Sequence, residues 1–385
     1  MRGFVALDAH PHGCRANIAE LVRRVEPTGQ KMGPVVIVGS STGYGLASAV
    51  VAALGYGAPV VGVCLERPAE RDRSASAGWY NSAALHDLAR EREAVTVTLN
   101  ADCFAPATKR RVASLLEERF GPAEALIYSV AAPVRVDSTT NTRHRSVIKP
   151  MGAPYRTKTL RLDRQEVAEV TLDPATSEEA EATTRVMGGE DWATWVSTLD
   201  DRGLLASSFR TVAFTYVGSA LTAPIYRGGT IGRAKQDLEE TALDLALRLG
   251  TKAWTSVNGA VVTQASAAIP GVPLYLSLLM AATRDLGWSR QDVVDQARRL
   301  FAEHLGPGCR PRVDGEGRIR LDDWELASEL QTEVGRRWAM VTTDNLKELA
   351  DVEGFRTEFR RLFGFDRPDV DYEVPVEVEV PLPET

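Results

Sequence analysis

The sequence predicts an α/β fold built on a doubly wound parallel sheet, and two observations predict it. At residues 35–54 four apolar β-branched residues, Val35-Val36-Ile37-Val38, run through glycines at 39, 43 and 45 into a helix-forming stretch from Leu46 to Leu54. The same alternation of apolar strand and amphipathic helix continues to about residue 150, and strands separated by helices pair in parallel. A second strand is expected within Gly57–Glu66, then a helix from Asn81 to Glu93 and a strand from Ala94 to Leu99. Pro106 to Phe120 reads as a helix with proline in its first turn and Gly121 as its cap. A fourth strand, Ala125 to Ala132, opens into Pro133.

Residues 134–207 break the pattern. They are polar and predict an insertion on the substrate side, with a hairpin, a helix from Ser177 to Val186 and an aromatic-anchored turn at Met187–Trp192. The sheet is expected to resume at Thr211–Tyr216 and again at Ser256–Val262, with a long helix from Gly229 to Leu249 between them. Helices are expected at Leu274–Leu286, Arg290–His304 and Trp324–Thr342, so residues 305–385 form a mainly helical C-terminal extension of one elaborated domain spanning 1–385. The alternation in Val374–Pro381 is strand-like, but its prolines demote it to an edge or a tail.

The turn Gly39-Ser40-Ser41-Thr42-Gly43-Tyr44-Gly45 carries the first chemical signal. A strand, a glycine turn and a helix in that order let the backbone approach a pyrophosphate and offer it the free N–H groups of a helix N-terminus. The fold expected is therefore Rossmann-like, and the Gly-x3-Gly-x-Gly spacing is that of short-chain dehydrogenases. Glu66 follows Gly45 by 21 positions at the end of the second strand, where a carboxylate accepts from the adenosine ribose hydroxyls. Its charge would repel a 2′-phosphate, which favours NADH over NADPH. Arg67 beside it could neutralise it or attract a phosphate. Gly39, Glu66, Asp102 and Val130-Ala131 all fall at expected carboxyl ends of strands, where ligands of such sheets collect.

Composition excludes several classes. A net charge of −7 without a basic block argues against nucleic acid. No apolar run reaches the roughly 18 residues a membrane span needs. The opening Met1–Asp8 meets a charge too early for a signal peptide, so a cytoplasmic protein is expected. Cysteines 14, 64, 103 and 309 lack metal-binding spacing, and His10 with His12 makes a poor zinc site, so no metal is expected.

Tyr226, just before the long helix, and Lys235, two turns into it, are the catalytic candidates. A phenol titrates near 10, and a nearby ammonium would bring it towards the working range of an acid–base group. Alone, a Tyr and a Lys nine apart would equally suit a rim tyrosine and a solvated helix face.

Longer words make the chain recognisable: HPHGC at 10–14, GSSTGYG at 39–45, AGWYNS at 77–82, YSVAAPVR at 128–135, VMGGEDW at 186–192, VVTQAS at 261–266 and LFGF at 362–365. Through them the sequence resembles, nearly end to end, the FabV-type enoyl-ACP reductases and the related trans-2-enoyl-CoA reductases. The resemblance implies NADH-dependent reduction of the C2=C3 bond of a trans-2-enoyl thioester on acyl-carrier protein or CoA, in a monomer. It makes Tyr226 and Lys235 the Tyr-x8-Lys catalytic pair and Tyr216 a second, substrate-binding tyrosine and donor. It places Gly39, Ser40, Ser41, Thr42, Gly43, Tyr44, Leu65, Glu66, Asp102, Cys103, Val130, Ala131, Lys235, Val261, Val262 and Thr263 around NADH. The chain departs from the family at Ala223 and Arg227, where bulky tryptophans are common, and at Arg233, where a lysine is expected. A ketoreductase of the same fold and a non-catalytic NADH-binding protein are the rival readings.

Overall fold

The computed structural model describes residues 8–71, 73–250 and 252–383. The expectation about a leader rests on the first residues, and Met1–Leu7 lie outside that range. The strands are β1 (Val35–Val38), β2 (Val60–Cys64), β3 (Thr96–Asn100), β4 (Ala123–Tyr128), β5 (Val134–Val136), β6 (Arg143–Arg145), β7 (Tyr155–Arg161), β8 (Glu166–Leu172), β9 (Leu205–Thr215), β10 (Ala253–Val257) and β11 (Ile319–Arg320). Seven of them form one sheet in the order β3-β2-β1-β4-β9-β10-β11, with every neighbouring pair parallel. This is the predicted doubly wound sheet. Its order reverses between β1 and β4, where the carboxyl ends of the strands open a crevice. The pairs β5–β6 and β7–β8 are separate antiparallel hairpins, both within the polar region read as an insertion.

The helices are α1 (Pro11–Arg23), α2 (Gly43–Val50), α3 (Ala77–Glu91), α4 (Pro106–Leu115), α5 (Ser177–Met187), α6 (Glu190–Asp200), α7 (Thr230–Leu249), α8 (Gln264–Ala268), α9 (Val272–Asp285), α10 (Val293–Leu300), α11 (Ser328–Met340), α12 (Leu346–Leu349) and α13 (Val352–Arg361). Successive strand residues point to opposite faces. Val35 and Ile37 accordingly join a core with α2 and α10, whereas Val36 and Val38 join another with α4, α6 and α7. A third core surrounds α9, whose residues 272–283 are all buried, with α11 and α13 packed on it.

Several boundaries differ from expectation. Helices α1 and α6 are not expected from the sequence. His10 caps α1, its Nδ1 accepting from Gly13 N at 3.1 Å, so the HPHGC word is a helix start. A Cβ at Gly13 would stand 1.7 Å from Gly364 O, which is why HPHGC and LFGF occur together. The MGGEDW turn opens α6, and its Trp192 and Trp195 are fully buried against the sheet. β10 stops at Val257, so Val261, Val262 and Thr263 lie in the following loop and at the cap of α8. α11 begins at Ser328, which leaves Trp324 and Glu325 in a buried loop. The terminal segment forms no strand; it is a tail whose Val378 and Val380 carbonyls accept from Tyr80 Oη and Trp79 Nε1 at 2.8 and 2.7 Å.

Candidate active site

The glycine turn is shaped for close approach. Gly39 has φ +90°, and a Cβ there would meet Ser129 O at 2.3 Å; one at Gly45 would meet Gly39 O at 1.9 Å. Gly43 takes φ +55° at the first residue of α2. Thr42, the N-cap, makes no side-chain cap, so the first-turn N–H groups remain available to an anion. Ser40 and Ser41 are buried, and Tyr44 reaches across the crevice to donate to Gly259 O. These features fit a dinucleotide pyrophosphate.

Glu66 follows β2 and is fixed by hydroxyls: Ser41 Oγ donates to its Oε1 at 2.6 Å and Ser76 Oγ to its Oε2. Gly78 has no side chain because a Cβ would stand 2.0 Å from that carboxylate. Leu65 beside it is 71% exposed, a bare apolar surface next to a polar anchor. Asp102 ties the turn after β3, its Oδ1 accepting from Phe104 N at 2.9 Å and its carbonyl from Thr108 Oγ1 at 2.6 Å. Burial raises the Cys103 thiol to about 12, so it is not a nucleophile. Val130 and Ala131 follow β4 at the open edge. Thr263 caps α8, its Oγ1 accepting from Ser266 N at 3.0 Å. The crevice thus gathers residues from the ends of β1, β2, β3, β4, β9 and β10.

At the ends of β9 and β10 stand the catalytic candidates. Tyr226 lies in the turn before α7, 8% exposed, and its hydroxyl makes no hydrogen bond among the described residues. Its ring meets that of Tyr216 edge to face at 4.7 Å. Two expectations need correction. Burial and the nearby Glu325 push the Tyr226 phenol up from its ordinary value, not down, so it is a neutral donor at rest. Lys235 Nζ donates to Phe214 O at 3.2 Å, and no hydrogen bond joins it to Tyr226. Burial lowers the lysine to about 8, against an opposing pull from Glu239. Tyr216 gives its proton to Glu325 Oε1 at 2.7 Å and is not the free second donor expected. Arg227 is tied to Glu239 at 2.8 and 3.1 Å, Ala223 caps the turn through its carbonyl, and Arg233 is exposed.

Glu325 is the site neighbour that sequence reading missed. Fully buried, it accepts from Tyr216 and Tyr275 at 2.7 Å each and from Ala260 N at 2.6 Å. Nothing local sets it apart, because Asp322 and Asp323 stand just before it in the sequence. A buried ion pair was missed as well: Lys109 and Asp191 meet at 2.6 Å, and Tyr128 Oη donates to the same carboxylate at 3.1 Å. It locks α6 to the Cys103–Phe104 turn, since Lys109 Nζ also donates to both of those carbonyls. An open groove of about 430 Å³ lined by His12, Arg15 and Asp369 shares none of these residues.

A glycine-cradled helix N-terminus, an acid anchored by serine hydroxyls and a tyrosine–lysine corner at one sheet edge fit a nicotinamide-dependent oxidoreductase. Family models narrow this. Residues 1–71 match the NAD(P)H binding domain of trans-2-enoyl-CoA reductase, residues 73–305 the trans-2-enoyl-CoA reductase catalytic region, and residues 313–376 an enoyl reductase FAD binding domain. The chain belongs to the trans-2-enoyl-CoA reductase family. It is 50% identical to an enoyl-[acyl-carrier-protein] reductase [NADH] of Streptomyces avermitilis, over 100% of this chain and 99% of that protein. It is 42% identical to the trans-2-enoyl-CoA reductase of Euglena gracilis, over 100% of this chain and 72% of that one. Its structure superposes with a TM-score of 0.94 and 35% identity on a Clostridium acetobutulicum trans-2-enoyl-CoA reductase solved in complex with NADH, covering 98% of this chain and 97% of that one.

Residues 313–376 do not fit a flavin. None of their helices starts at a glycine turn; the N-caps are Ala327, Asn345 and Asp351. Phe355, Phe359 and Phe363 are spent in the core around α9, and Arg318, Arg320, Arg337 and Arg367 are held by acidic neighbours.

Proposed function

We propose that this crevice binds NADH and reduces the C2=C3 double bond of trans-2-enoyl thioesters carried on acyl-carrier protein or CoA, in fatty-acid or related acyl-chain synthesis. The cofactor, when bound, supplies the hydride that adds to C3. The residues of the chain do the rest. Ser40, Thr42 and the N–H groups of α2 hold the pyrophosphate, and Glu66 accepts from the adenosine ribose. Leu65, Asp102, Cys103, Val130 and Ala131 flank the adenine end, and Val261, Val262 and Thr263 the nicotinamide end. Lys235, cationic below about 8, holds the nicotinamide ribose. Tyr226 donates to the thioester oxygen as negative charge moves there, and a preorganised donor in a dry site is worth most at that moment.

The observation that carries this reading is the hydroxyl of Tyr226, a buried residue packed edge to face on Tyr216, which no described residue claims. The names of the relatives support an enoyl over a 3-oxoacyl substrate. The same proposal makes the protein a cytoplasmic monomer; its four free thiols support a reducing compartment. No helix among the described residues is long and apolar enough to cross a membrane. The test is NADH oxidation with crotonyl-CoA, crotonyl-ACP and acetoacetyl-CoA, beside a sedimentation measurement of mass. Turnover of the crotonyl thioesters with little on acetoacetyl-CoA is expected. Preference for the 3-oxo substrate would replace this reading with a ketoreductase.

A further inference from the structure

The two oxygens of Glu325 meet different partners. Among the described residues Oε2 accepts from one backbone N–H, that of Ala260. Oε1 receives two phenol protons, from Tyr216 and Tyr275, each at 2.7 Å. Among the described residues no cation is a partner of this buried carboxyl, and Asp322, which Arg320 pairs at 2.7 Å, adds a like charge. An ionised carboxylate is an acceptor only, so a hydroxyl that points at it has no proton left for anything else. Tyr216 is therefore committed away from its neighbour Tyr226 and from whatever Tyr226 touches.

A protonated carboxyl reverses that direction. It carries one O–H, and the two phenol oxygens compete for it. Tyr275 Oη already accepts from Gln331 Nε2 at 3.0 Å, whereas Tyr216 Oη accepts from no described residue. The proton therefore goes to Tyr216, whose own hydroxyl is then released.

We propose that Glu325 is a positioning residue that sets the hydrogen-bond direction of Tyr216, holding its proton when ionised and, when protonated, donating to it so that Tyr216 becomes a second donor to the thioester oxygen. This rests on the enoyl-reductase reading above and adds a protonation switch to it. No covalent bond changes: one proton resides on Glu325, and the Tyr216 O–H turns from the carboxyl to the substrate. The switch falls in the neutral range, because burial raises Glu325 to about 7 against the opposing bonds from Tyr216, Tyr275 and Ala260, with Asp322 adding to the rise. The other titratable groups around it are Tyr44, Tyr216, Tyr226 and Tyr275, all pushed upward and protonated throughout that range.

The geometry also supplies a mimic. In Glu325→Gln the Ala260 N–H requires the amide oxygen at the Oε2 position, which places the NH2 group between Tyr216 and Tyr275. That variant is locked in the donating state. The experiment is kcat against pH for crotonyl thioester reduction by the wild type, Glu325→Gln and Tyr216→Phe, with NADH fluorescence titration and thermal unfolding of each. The wild type should show a limb that falls as pH rises through about 7, distinct from the Lys235 limb near 8. Glu325→Gln should lose the lower limb and keep turnover within about tenfold of the acid-side wild type, a lost positioned donor being worth 10²-fold or more. Tyr216→Phe should lose that limb too, at a reduced rate. A limb near 7 that persists in a folded Glu325→Gln, or in Tyr216→Phe should the first variant fail to fold, would overturn the switch. A wild type without that limb would overturn it as well. A wild type with no crotonyl turnover at any pH would instead fell the function itself, and this inference with it.

Discussion

Asp191 and Glu325 are both buried carboxylates, and they are compensated in opposite ways. Asp191, at the start of α6, meets a lysine at 2.6 Å, and both side chains are 3% exposed. Glu325, in the loop before α11, is met by two phenols and a peptide N–H and by no cation. A cation at hydrogen-bond distance opposes the rise that burial imposes on the Asp191 carboxyl. Neutral donors stabilise the charge less, so the proton stays within reach and the partners can be reoriented by it. The first arrangement holds a loop; the second can take part in chemistry. Glu66 is a third case, half-buried and held by serine hydroxyls, where the acid stays open to a ligand.

The contrast is sharpest in stability. Asp191→Ala strands Lys109 as an uncompensated buried charge and should cost about 3–5 kcal/mol. Thermal unfolding measures it, and a melting temperature close to the wild type's would mean the pair is not the clamp described. On the other side of the contrast the loss should be kinetic. Tyr226→Phe should lower turnover by about 10²-fold or more while leaving NADH affinity and melting temperature nearly unchanged. Near wild-type turnover on an enoyl thioester would remove Tyr226 from the chemistry.

Lys235→Met should weaken NADH binding and lower kcat by about tenfold or more, as loss of a charge-assisted bond implies. Lys252→Met, whose ammonium only tethers Ser207 O, should change neither. The wild-type dependence on Lys235 carries a sign: its cation is present below about 8 and lost above, so NADH affinity should fall as pH rises through that value. Equal, small effects of both lysines would return Lys235 to a structural role. The smallest effect is expected at Glu66. Glu66→Ala removes like-charge repulsion of a 2′-phosphate and should raise the kcat/KM ratio of NADPH to NADH by about tenfold, with Arg67 able to enlarge the change. An unmoved ratio at fixed ionic strength would place cofactor choice elsewhere.

The cofactor half was legible because its signals are local. A strand, its glycine turn and the next helix are contiguous, and periodicity announces where each strand ends. Gly39, Glu66, Asp102 and Val130 could therefore be assigned to one edge before any contact was known, and the sheet carries them there. Tyr226 and Lys235 needed the longer words of a family resemblance, since two residues nine apart specify little by themselves. Even then the electrostatics ran the other way: proximity in sequence suggested an ammonium lowering a phenol, while burial beside a carboxyl raises it.

Glu325 was not legible at all. It bonds to residues 109, 65 and 50 positions away, and no window of sequence contains such a contact. The same holds for Lys109 and Asp191, 82 apart. Charged side chains are solvated by default, and only packing reveals which few are taken out of water. The sequence by itself determined the parallel sheet, the glycine cradle and the edge where ligands collect, because these follow from short-range backbone preference and apolar periodicity. The tertiary structure alone decided which acids were buried and whether a cation or a phenol faced each, because that depends on distant segments closing over the same point and excluding water.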